Sequence, residues 1–173
     1  MILPLARTES GAELLGVCSQ LHVSMYGRND ATRFMMLMIP KVYQGNLEIP
    51  SDFAPRAEDV EKMTRFNEEL AKAGALISLD GLHPPATGAR VSFSGGKPFI
   101  ADRPFPGARD VLGGYWMISV NSREEAIAWA KKVPAQDGDV VEVRQVFEME
   151  EFPEDVRKAG DSATVRRQLE KRG

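Results

Sequence analysis

Two stretches of helical period in this chain each stand between short apolar runs, and that order leaves few folds open. Val60, Met63, Phe66 and Leu70 recur at three- and four-residue steps. Glu58, Asp59, Glu61, Glu68 and Glu69 fall largely on the other side, which predicts one amphipathic helix, ended by Gly74. Ser122 with Glu125 three positions later is a capping-box pattern that opens a second helix. Its buried face is Ala126, Ile127, Ala130 and Val133, and Pro134 stops it. Ahead of the first helix stands FMMLMI, Phe34–Ile39, closed by Pro40. Its length between breakers favours a buried strand over a helix, although Met is a weak strand former. Ala75–Leu79 follows the first helix as a strand. YWMISV, Tyr115–Val120, is strand-like by residue type and precedes the second helix. Asp139–Phe147 closes the series, with Val141, Val143 and Gln145 alternating against Glu142, Arg144 and Val146. Between Gly88 and Asp102 lie two short extended segments, Ala89–Phe93 and Pro98–Ala101. Ser94-Gly95-Gly96-Lys97 joins them as a hairpin turn, because glycine tolerates positive φ.

This order predicts an α+β fold, the ferredoxin-like split βαβ sandwich with an antiparallel sheet. Right-handed crossovers put both helices on one sheet face. The opposite face then exposes enough apolar surface to be sticky, and a second copy packed face to face is its natural cover. A homodimer is therefore expected.

At 173 residues, 43% apolar and 27% charged, the chain suffices for one domain with a real core. The core domain is expected at 34–149. Residues 1–33 lack the basic start and continuous apolar segment of a signal peptide and read as an N-terminal extension outside the fold, poorly ordered. Residues 150–173 form a charged C-terminal tail with sparse apolar anchors, open to a helix that Gly160 would weaken. A net charge of −3 supplies no basic field, so no nucleic-acid partner is expected. No apolar run approaches the ~18 residues that span a bilayer, so no membrane partner is expected either. The single cysteine, Cys18, excludes an internal disulfide framework and a cysteine metal cluster, and fits a reducing, cytoplasmic setting. There is no Gly-rich phosphate loop, no zinc spacing and no Gly-x-Ser-x-Gly elbow, so neither cofactor nor metal is expected.

Several motifs agree in order and spacing with one family. GLHPPATGARV, GGKPFIADRPF, LGGYWMISV, NSREEAIAWAKKVP and VVEVRQV resemble the YCII-related, or DGPF-domain, family over Arg33 to Phe147. The resemblance implies a ferredoxin-like fold that dimerises into an α/β barrel, with a cleft where the signature aspartate sits. For most members no substrate is established. Some relatives have been proposed to use a His–Asp pair, one acts as a dehydrochlorinase in chloroaromatic breakdown, and others accompany alternative sigma factors. This chain departs from the signature. Asp-Gly-Pro-Phe appears as Asp102-Arg103-Pro104-Phe105, and the usual acidic residue followed by Lys-Glu appears as Gly107-Ala108-Arg109-Asp110. Arg109 keeps the charge of the lysine but favours bidentate contact with a carboxylate or phosphate.

The candidate catalytic residues are His83 and Asp102. His83 is the one histidine of the core domain, and histidine is the side chain suited to proton transfer near neutrality. Asp102 would orient it or act as base. The ordinary alternatives are a loop histidine packed on Pro84 and Pro85, and a turn carboxylate capping backbone amides. Arg109 and Arg103 are the candidate substrate-binding cations, with Arg90 weaker. Tyr115 and Trp116 must point to opposite sheet faces, one toward the helices and one toward the dimer cleft, where Tyr115 would donate a hydrogen bond. Two function classes follow. One is a cofactor-independent acid–base enzyme performing elimination or isomerisation on a small anionic or aromatic molecule. The other is a non-catalytic module that binds a small ligand or a protein partner.

Overall fold

The computed structural model describes residues 31–44, 54–101 and 110–170. Ten elements follow one another: β1 (Thr32–Ile39), α1 (Ala57–Lys72), β2 (Leu76–Gly81), β3 (Arg90–Ser94), β4 (Lys97–Ala101), β5 (Gly114–Val120), α2 (Arg123–Ala130), β6 (Val140–Gln145), α3 (Glu154–Gly160) and α4 (Ala163–Glu170). β1, β2, β5 and β6 form one sheet in the order β2-β5-β1-β6, with every pairing antiparallel. The fold is α+β.

The continuous apolar sequence of β1 suits its place between two other strands. Its register sets Phe34 opposite Ile118 and Met36 opposite Trp116. These four residues meet Phe66 and Leu70 of α1 and Ala126 of α2 in the core. β5 reads out the two-residue period directly. Gly114, Trp116, Ile118 and Val120 are buried, while Tyr115, Met117 and Ser119 between them are half-buried. The buried indole N–H needs an acceptor, and Trp116 Nε1 donates to Asn67 Oδ1 at 2.8 Å. The edge of the Trp116 ring meets Phe66 with centroids 5.7 Å apart and planes at 89°.

The helices begin and end close to the positions that the pattern predicts. Ser122 Oγ accepts the Glu125 N–H at 3.1 Å, but the return arm of the box reaches one residue further back, where the Glu125 carboxylate accepts the Asn121 N–H at 3.0 Å. α2 ends at Ala130, ahead of Pro134. Two side chains differ from the periodic reading. Val60 is 47% exposed, because the first turn of α1 lies beyond the apolar cluster. Trp129, outside the expected face, packs its ring on Phe66 at 6.4 Å. A bulge between Leu76 and Ser78 leaves Ile77 exposed in β2.

β3 and β4 form a separate two-stranded ribbon. Gly95 and Gly96 turn it with φ of +57° and +73°, the primed hairpin geometry that side chains resist. Val91 lies opposite Ile100 and Phe93 opposite Pro98, so one ribbon face is apolar, and Phe93, at 76%, is far from buried. On the main sheet, the face away from the core carries Met35, Leu37, Tyr115 and Met117, all half-buried. Arg33 at its border donates from Nε and Nη2 to the two oxygens of Glu148 at 2.7 and 2.8 Å. The charged tail forms α3 and α4, and Val156, Val165 and Leu169 there are exposed.

Candidate functional site

A cleft of about 960 Å³ opens at the end of the sheet where β1 and β2 finish and β5 begins. Pro40 cannot continue the β1 ladder, and the chain turns at once into a single 3-10 turn, Lys41–Tyr43. Asp139, just ahead of β6, fixes this turn. Its Oδ1 accepts the Lys41 N–H and its Oδ2 the Gln136 N–H, both at 2.8 Å. One carboxylate therefore joins the exit of β1 to the entry of β6. Gly113 continues the ladder on the other side, donating to Met38 O at 2.8 Å and accepting from the Leu82 N–H at 2.9 Å. A Cβ at Gly113 would overlap the Pro40 ring and approach the Tyr43 ring at 3.2 Å, so glycine permits this close packing.

His83 follows Leu82 on the cleft wall. Buried Pro84 and a 3-10 turn over Pro85–Thr87 hold its backbone, while the histidine itself is exposed. Among the described residues, no side chain pairs with its imidazole. The start of α1 also lines the cleft. There Arg56 donates from Nε and Nη2 to Asp59 at 2.9 and 3.0 Å. This paired hydrogen bond raises the guanidinium pKa and lowers that of the Asp59 carboxyl. Burial raises the pKa of the Tyr43 hydroxyl. Pro40, Val42, Met63, Leu82 and Pro84 supply an apolar part of the wall, and Gln136 and Asp137 a polar one.

Tyr115 and Trp116 do point to opposite faces. Trp116 faces the helices, and Tyr115 lies on the open face, where its hydroxyl donates to Asp80 Oδ2 at 2.9 Å. That hydrogen bond raises the tyrosine pKa. Tyr115 is not among the residues lining the cleft that holds His83, so these two candidates occupy different surfaces. Asp102, Arg103 and Arg109 lie outside the described residues, and so does the pairing of His83 with Asp102. Arg90 opens β3 and is exposed.

Lys41, Asp59, Asp139 and Asp80 were missed by sequence reasoning. For Lys41 the available signal was its place directly after a strand-ending proline. Asp139 carried a weaker one, a Gly138-Asp139 pair at the mouth of a strand. Among the described residues no three His, Cys, Asp or Glu side chains converge as a metal-binding group. None of the described helices is long and apolar enough to cross a membrane.

The model of the YCII-related domain matches residues 33–150, which takes in the four strands of the main sheet, all but the first residue of β1, and both helices on it. No curated protein matches the chain. By that match, extending over more than half of its length, the chain belongs to the YCII-related domain family.

Proposed function

We propose that the cleft binds a small anionic, partly apolar molecule and that His83 transfers a proton on it. The observation that carries this reading is an exposed imidazole, unengaged by the described residues, on the wall of a largely apolar cleft. Such a group is available to a bound molecule as acceptor or donor. In an isomerisation it takes a proton from one carbon and returns it to another. In an elimination it takes the proton while the electron pair expels a leaving group from the adjacent carbon. Neither requires a redox partner. Asp102 and Arg109 remain the candidates for orienting His83 and holding the anion.

A panel of small carboxylic acids in deuterated water tests the reaction. Solvent deuterium should enter one C–H position, followed by proton NMR, and His83→Gln should abolish it. If no acid exchanges faster with the wild type than with His83→Gln, the catalytic reading fails.

A second reading, binding without catalysis, draws on a specific observation. Two cleft carboxylates are already engaged, Asp139 by backbone amides and Asp59 by Arg56, so neither orients His83. Ligand-induced shifts of cleft resonances without deuterium exchange would favour it.

The strand order supports a ferredoxin-like core, and the apolar side chains left half-buried on the sheet face away from the core support a homodimer of the α/β-barrel kind. The setting proposed is the cytoplasm, on the strength of the lone Cys18.

A further inference from the structure

The cleft wall holds a basic side chain, Lys41, that the sequence motifs did not indicate. Among the described residues, Arg56, Lys41 and His83 are the basic side chains lining the cleft. Arg56 is taken up by Asp59 in a two-bond pair. Lys41 is different. Among the described residues its ammonium pairs with no carboxylate.

Its position is nevertheless determined. Asp139 holds its backbone N–H at 2.8 Å, and its side chain lies across Gly138. Gly138 has φ of +92°, and a Cβ there would come 2.6 Å from Lys41 Cδ and 3.2 Å from Nζ. Bare backbone under the lysine stem lets the side chain lie flat along the turn. A lysine whose stem is seated and whose charge has no partner among the described residues has lost part of its conformational freedom before a ligand arrives, which favours binding.

The acidic residues of the cleft decide what the anchor accepts. Asp59 is offset by Arg56, and both Asp139 oxygens accept backbone N–H groups. Asp137, next to Gly138, is also in the lining and makes no ion pair with Lys41. It adds a negative field beside the anchor, which opposes ligands of high negative charge. The apolar wall of Pro40, Val42, Met63 and Leu82 suits a compact hydrocarbon or aromatic body.

We infer that Lys41 Nζ is the carboxylate anchor of the cleft, so that its ligands are small monocarboxylic acids with an apolar body. This rests on the cleft being a ligand site, as proposed above, and specifies the ligand class.

The test compares benzoate with its neutral isostere benzamide by nitrogen–proton NMR titration of the full chain, reading residues around His83. Benzoate should bind the wild type more tightly than benzamide. Lys41→Met should weaken benzoate about tenfold, which corresponds to about 1.4 kcal/mol, and leave benzamide unchanged. Lys41→Arg should restore most of the difference, and Asp137→Asn should tighten benzoate. Equal binding of the two probes, or a Lys41→Met variant that binds benzoate like the wild type, overturns the anchor and leaves the cleft standing as a site. If neither probe shifts the resonances around His83, the small-molecule site fails and the anchor with it. Unchanged dispersion of the NMR spectrum in each variant identifies a folded protein.

Discussion

The two faces of the main sheet are made by the same strands yet differ in how their apolar side chains are finished. On the helix face, Phe34, Met36, Trp116 and Ile118 are covered by α1 and α2, and the polar atom of the largest ring is matched by Asn67. On the opposite face, Met35, Leu37 and Met117 stand half-buried, with Asp80, Tyr115, Glu142 and Arg144 around them. The first face is a closed core. The second has an apolar centre and a polar border, the anatomy of a surface made to be covered. The alternation of a strand decides which residues share a face, but only the surrounding elements decide whether that face is finished.

The largest way to break this comparison is Trp116→Ala. It removes a buried ring and its contact with Phe66, and should destabilise the fold by about 3–5 kcal/mol in urea unfolding. A matching change on the open face, Leu37→Asp, should leave the unfolding of a monomer within about 1 kcal/mol of wild type. Under the homodimer proposed above, it should instead halve the mass seen in sedimentation. A monomeric wild type would overturn the proposed homodimer. The smallest effect lies at the border, in the Arg33–Glu148 pair. Its paired hydrogen bond lowers the Glu148 pKa from the ordinary 4.5, so folding gains stability above that value. The gain is lost as pH falls through the lowered value in the folded state. The two side chains are 42% and 34% exposed, so solvent screening holds the contribution to about 1 kcal/mol or less. Glu148→Gln should remove the gain near neutrality and flatten the acid limb of the stability curve.

Much of the fold was legible because strand and helix periods are local. Phe66 and Leu70 announced the face of α1, and Gly95-Gly96 announced the β3–β4 turn, since each signal needs only its neighbours. Trp129 was not legible in the same way. Its burial depends on where Phe66 of another helix ends up, and helical spacing alone set it aside. The site divides along the same line. His83 was readable as a proline-flanked histidine after a strand. Lys41 was not, because its seat is Gly138 and its tether is Asp139, both brought to it only when β6 pairs with β1.

The β3–β4 ribbon bears on how freely this region of the chain can change. β2 and β5 are already neighbours, closed by the Leu82–Gly113 hydrogen bond, so the two ends of the stretch that carries the ribbon are pinned together at the sheet. To the polymer, that excursion is a loop with its ends pinned. The entropic cost of such a loop grows only with the logarithm of its length, about 0.6 kcal/mol per doubling. The ribbon can be shortened, lengthened or recomposed with little effect on the stability of the sheet. His83 sits at the root of that excursion, on the part anchored to the fold. The cleft can thus keep its imidazole while the β3–β4 ribbon changes in length or composition.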